Sequence, residues 1–180
     1  MDTIQVCERC RECCRFTKKT LYYATLFTDK EKQRAMATGL SSADFVSYRG
    51  SRHVFQVRLI PSVKVAGEYV CPLLDEQTHR CRIYEHRPLD CRLWPFFFMR
   101  SRNGRGALLA SFRKDFCGIT DAMKKKQYES FMRENSDLPG LLGFINRYPE
   151  FIWDYESYTF PVRFLKRVET GYVWADDRAS

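Results

Sequence analysis

Eight residues near the start of the chain, Cys7-Glu8-Arg9-Cys10-Arg11-Glu12-Cys13-Cys14, carry four thiols. Four more follow at Cys71, Cys81, Cys91 and Cys117. A fold built on such a chain has to bury, oxidise or ligate these groups. Reduced cysteine packs as a small hydrophobe, but so rare a residue does not supply a dense stripe by accident. Disulfides form in oxidising compartments. Asp2, Glu8 and Glu12 occupy positions where an export signal needs a basic region and an apolar run. The expectation is a cytoplasmic chain whose reduced thiols serve metal or redox chemistry.

Spacing sharpens that expectation. If residues 2–15 are helical at least in part, Cys7, Cys10 and Cys14 fall within about 60° of one another, and Cys13 widens the arc to about 120°. One helical face then presents four thiols, and the late cysteines fold back to meet them. Two tetrathiolate sites would use all eight without remainder. Cys13 and Cys14 are adjacent and cannot easily close on one small ion together. Either each serves one of two neighbouring centres, or only one of them ligates.

The net charge of +8 resembles a nucleic-acid signal until the thiols are counted. Eight thiolates and two dicationic centres halve the excess. Arg9, Arg11, Arg15, Arg80, Arg82 and Arg92 adjoin cysteines directly, where guanidinium groups suit the negative charge of a thiolate-bound metal. Lys124-Lys125-Lys126 reads as a solvated face. Nucleic acid is therefore not the expected partner. The apolar run Phe96-Phe97-Phe98-Met99 is too short for a membrane span. At 180 residues, with 14 Phe, 10 Tyr and 3 Trp to fill a core, the chain reads as a single domain over 1–180. Within it, 7–117 is the cysteine-bearing core and 118–180 a helical, aromatic C-terminal part.

Local signals place the ligands on elements. Thr28-Asp29-Lys30-Glu31 is a capping box opening a helix to about Thr38, with Gly39 beyond it. Ser41 to Val46 suggests a short helical turn. Residues 52–60 and 62–70 are β-like runs around Pro61. The second leads to Cys71, and the polar turn Glu76-Gln77-Thr78-His79 returns the chain to Cys81, a plausible metal knuckle. Pro88 suits the first turn of a short helix carrying Cys91, ended by Pro95. Phe96–Arg100 and Ala107–Arg113 read as a hairpin around Asn103-Gly104. Beyond Cys117, helices are expected from Thr120 or Asp121 to about Asn135 and over Pro139–Tyr148. The aromatic stretch from Phe151 to Val173 is expected to pack onto the core. The fold class is α+β, with a helical cysteine-rich N-terminus, a small antiparallel sheet and a helical C-terminal part, organised around cysteine-ligated metal.

In order, Cys7-x2-Cys10-x2-Cys13-Cys14, Cys71-Pro-Leu-Leu, Cys81-Arg-Ile-Tyr-Glu-His-Arg-Pro-Leu-Asp-Cys91-Arg-Leu-Trp-Pro-Phe and Cys117 resemble the CxxCxxCC, or YkgJ-like, cysteine-cluster family. The resemblance covers residues 7 to 117. It implies a zinc- or iron-chelating domain, often labelled an Fe–S oxidoreductase. Flagellin lysine methylases belong to the same family, but nothing after Cys117 carries that activity over.

Zinc and iron–sulfur clusters both accept four thiolates. The pattern is neither the ferredoxin Cys-x2-Cys-x2-Cys-x3-Cys-Pro nor a common zinc ribbon, and radical-SAM spacing is absent. An iron–sulfur cluster, 4Fe–4S in preference to 2Fe–2S, is favoured over structural zinc, in one or two centres. His79 and His86 are alternative ligands; their simpler roles are a surface turn and a hydrogen-bonded position near Arg87. His53 reads as a strand residue. Arg87 and Arg92 either neutralise the cluster or hold a carboxylate or phosphate by paired hydrogen bonds. The expected function is redox or electron transfer with a protein partner. A zinc-stabilised interaction module and a cluster-supported modifying enzyme are the alternatives.

Overall fold

The structure is a computed structural model, and it describes residues 12–94, 96–100, 105–112, 138–153 and 162–173. Its architecture is α+β. Contacts gather into two compact units, Met1–Trp94 with Cys117–Ile119, and Pro95–Phe116 with Thr120–Ser180.

The first unit is built from short strands. β1 (Arg15–Thr17), β5 (Ile60–Pro61) and β6 (Glu68–Val70) form one antiparallel sheet in the order β1-β6-β5. β2 (Leu26–Thr28), β3 (Phe45–Ser47) and β4 (Val54–Val57) form another, in the order β2-β4-β3. β7 (Leu74–Asp75) and β8 (Arg80–Cys81) make a two-stranded hairpin. Helix α1 (Asp29–Met36) begins at the expected capping box. The Glu31 N–H donates to Thr28 Oγ1, and Glu31 Oε2 accepts from the Thr28 N–H at 2.9 Å. Past its end Gly39 takes φ 106° and donates its N–H to the Met36 carbonyl, a backbone angle glycine adopts without strain. Helix α2 (Leu89–Leu93) follows Pro88, as its sequence requires. Phe27, Phe45, Val57, Leu73 and Ile83 form the core of this unit, with Cys71 among them and Cys14 and Cys81 packed against it.

The N-terminal stretch expected to be helical at least in part, residues 2–15, is described only from Glu12 onward. Glu12–Cys14 is one 3-10 turn, and the chain is already extended at Arg15. The reason is pairing. The backbone of residues 15–17 is taken up by β6, in register Arg15↔Val70 to Thr17↔Glu68, and extended pairing and helix compete for the same N–H and C=O groups. Cys7 and Cys10 lie outside the described residues. So do the helix expected over 120–135, the Asn103-Gly104 turn and Cys117.

The second unit is a four-stranded sheet in the order β11-β9-β10-β12. β9 is Phe96–Arg100, β10 Arg105–Phe112, β11 Ile152–Trp153 and β12 Val162–Val173. β9 and β10 are the expected hairpin strands. Phe97, Phe98 and Met99 are all buried, which explains a continuous apolar run where a half-exposed strand would alternate. Helix α3 (Leu138–Arg147) matches the second expected C-terminal helix and lies along β12. Its Phe144 ring meets Phe151 edge-on at 5.0 Å. The C-terminal part is thus not purely helical. β12 completes the sheet beside β10, with bulges between Arg105 and Ala107 and between Leu109 and Ala110. Among the described residues no helix is long and apolar enough to cross a membrane.

Candidate metal centre

Each described thiol reaches the site by a separate local device. Cys13 and Cys14 sit on the 3-10 turn, their sulfurs 3.8 Å apart. The Cys14 carbonyl accepts the Cys71 N–H at 3.0 Å, which continues the β1–β6 ladder by one step and brings Cys71 beside the N-terminal pair. The Cys71 carbonyl accepts the Leu74 N–H, and the chain then enters the β7–β8 hairpin. Asp75 Oδ1 accepts the N–H groups of Gln77 and Thr78 at 2.8 and 3.2 Å, an Asx turn. His79 closes the turn in the left-handed region, φ 62°. Cys81 consequently pairs with Leu74, only three residues beyond Cys71.

Cys91 is fixed from the other side. Glu31 Oε1 accepts the Leu89 N–H at 2.8 Å, and Asp90 Oδ2 accepts the Leu26 N–H at 2.9 Å. These bonds lock α2 onto α1 and β2. Cys91 Sγ lies 3.4 Å from Thr25 Oγ1.

The result is one cavity of about 380 Å³ with Cys13, Cys14, Cys71, Cys81 and Cys91 in its wall. Phe27, Leu73, Leu74 and Ile83 make much of the rest apolar, and His79, Arg80 and Arg87 also line it. The Arg87 guanidinium lies 3.7 Å over the Tyr84 ring and donates from Nε to the Tyr84 carbonyl at 2.9 Å. Arg92 is exposed and is not among the lining residues. Arg15, expected to balance thiolate charge, instead pairs with Glu68 at 2.9 Å and Glu76 at 3.7 Å. His86 is exposed on a 3-10 turn, and His53 precedes β4, with Nδ1 2.9 Å from Asp29 Oδ2.

The electrostatics are those of crowded, desolvated sulfur. Burial pushes the Cys71 thiol up to about 12 and the Cys91 thiol well above its ordinary value. At Cys14 the contact with Cys13 lowers the value, but burial and the nearby Cys71, Cys91 and Cys81 outweigh it, and the thiol is raised. Burial also lifts the Asp90 carboxyl to about 7 against the opposing Leu26 N–H, with Glu31 raising it further. Several thiolates in one apolar wall repel one another, and a bound cation relieves that repulsion. Among the described residues, no three His, Cys, Asp or Glu side chains are grouped so as to hold an ion. The donor set fits zinc or iron in kind, with three of the eight cysteines outside the described residues.

A family model described as a putative zinc- or iron-chelating domain matches residues 6–134, a span that includes all eight cysteines. The chain belongs to the CxxCxxCC family. No curated protein and no solved structure matches it. In this CxxCxxCC protein the sequence pointed to the described thiols but not to their supports. Thr25 carries no local signal, and Glu31 was legible only as half of a capping box.

Proposed function

We propose that this CxxCxxCC protein holds iron, as an iron–sulfur cluster, on the thiol cavity, and that the cluster serves electron transfer with a protein partner in a reducing compartment. The observation that carries the reading is the convergence of five thiols, from four separate segments, on one cavity. Cys13, Cys14, Cys71, Cys81 and Cys91 are the proposed ligands on the described side, and Cys7, Cys10 and Cys117 complete the set. A lone zinc ion in a tetrathiolate site is enclosed by its four ligands. The cysteine spacing resembles no common zinc ribbon, which favours a cluster, with 4Fe–4S preferred to 2Fe–2S. When bound, such a cluster supplies a one-electron redox couple whose potential depends on charge, burial and hydrogen bonds to sulfur.

The chain's own residues then have assignable roles. The cysteines give up their protons to the solvent on loading, because only thiolates ligate. Phe27, Leu73, Leu74 and Ile83 make the surroundings of the sulfurs largely apolar. Arg87, its plane held by Tyr84, offsets the negative charge of the thiolate-bound centre. The zinc reading rests on the same thiols and differs in what an assay finds. Protein purified without oxygen is expected to contain iron and acid-labile sulfide and to be brown. Colourless protein with stoichiometric zinc and no sulfide would replace the redox role with a structural one. Cys91→Ser and Cys10→Ser are each expected to lower bound metal, and full retention in both would overturn the ligand assignment.

A further inference from the structure

The bond between Thr25 and Cys91 has a direction that the metal decides. Thr25 is one of two buried polar residues among the described positions, 5% exposed, and it lines the thiol cavity. Its backbone is pinned on both sides. The Ala24 carbonyl accepts Gln56 Nε2 at 2.8 Å, the Thr25 carbonyl accepts the Val57 N–H at 3.1 Å, and the Leu26 N–H donates to Asp90 Oδ2 at 2.9 Å. Asp90 immediately precedes Cys91. Residues 25–26 and 90–91 are therefore joined at two successive positions, backbone to carboxylate and hydroxyl to sulfur. In the thiol state either partner can donate across the 3.4 Å contact. A thiolate has no proton, so once Cys91 binds metal only the hydroxyl can donate.

We propose that Thr25 is a positioning residue for the metal centre: its hydroxyl donates to the Cys91 thiolate, fixes the direction of that sulfur and reduces its electron donation to the metal. The inference rests on the metal reading above. Residues that hydrogen-bond to ligands orient them and tune the metal, and their loss typically weakens binding about 10- to 100-fold. Hydrogen bonds to cluster sulfurs also help to set reduction potentials, and a donor favours the more negative, reduced state.

The test uses the full chain loaded with cobalt(II), whose absorption with thiolates reports sulfur ligation without requiring activity. Thr25→Val keeps shape and removes the donor; Thr25→Ser keeps the donor. Val is expected to weaken cobalt affinity about tenfold or more and to shift the sulfur-to-metal band, while Ser remains within about twofold of the parent. If Val does not fold, Thr25→Ala against Thr25→Ser makes the same comparison, since both lack the methyl group. In iron-loaded protein the donorless variant is expected to show a more negative midpoint potential. Equal affinity and spectra for donorless and donor-bearing variants would overturn the role of Thr25 while leaving the metal reading intact. Cobalt uptake by the parent that Cys91→Ser leaves undiminished would overturn it as well, by removing Cys91 as a ligand. A parent that binds neither cobalt, zinc nor iron would overturn the metal reading itself.

Discussion

The two units solve the problem of cohesion differently. In the thiol-bearing unit the described strands run two to four residues, and polar side chains that reach across the sequence to backbone N–H groups hold the pieces together. Glu31 is the clearest case, serving Thr28 and Leu89 with one carboxylate. In the other unit β10 and β12 run eight and twelve residues and pair along most of that length, while Phe97, Phe98, Met99, Ile145 and Ile152 are buried. Long ladders and apolar burial sustain a sheet without further help. Three small pieces of sheet converging on sulfur are the kind of structure that a bound metal crosslinks.

The largest expected effect comes from removing the metal. Structural zinc contributes about 10–16 kcal/mol in zinc-finger peptides that have little else. With the apolar core present here, the loss is expected to be on the order of 5 kcal/mol. Hydrogen exchange after chelation should show amides of β1, β6–β8 and α2 losing protection while β9 and β10 keep theirs. Equal loss in both units would erase the contrast. Next, Phe98→Ala, at a position 1% exposed on β9, is expected to cost about 3–5 kcal/mol in denaturant melts with metal per folded chain unchanged. Loss of metal would show that the sheet supports the site.

Glu31→Ala removes the side-chain acceptor of the Thr28 and Leu89 N–H groups, and should cost about 1–3 kcal/mol. Unlike Phe98→Ala, it is expected to speed metal loss to a chelator, because it frees the end of α2 that carries Cys91. The smallest effect concerns pH. The Ser62 hydroxyl and then the Val63 N–H hold Glu76 below the usual carboxylate range. Its folded value is depressed, so its contribution is present above the unfolded pKa and fades as pH falls through the folded one. Amide exchange at Val63 and Val65 should therefore rise below about pH 4, and Ser62→Ala should move that rise to higher pH.

What the sequence made legible was local. The Thr28/Glu31 capping box, Pro88 opening α2, the β9 and β10 strands and α3 depend on neighbours within a few residues. What it concealed depends on distant pairing. The Glu31–Leu89 and Thr25–Cys91 bonds join residues 58 and 66 positions apart, and no pattern around either partner announces them. Residues 15–17 are extended because β6 takes up their backbone. β12 was missed because Leu165 and Lys166 break the alternation of its apolar residues, while its pairing with β10 defines the strand. For the site, cysteine spacing identified which residues matter. Folding supplied the reason that Cys14, Cys71, Cys81 and Cys91 line one cavity.

The central claim is that these thiols hold a metal. X-ray absorption at the metal edge of the protein, purified without oxygen, tests it most directly. The account predicts an all-sulfur ligand shell, with an additional metal–metal scatterer if the group is a cluster. A shell of nitrogen and oxygen, or the absence of stoichiometric metal, would contradict it.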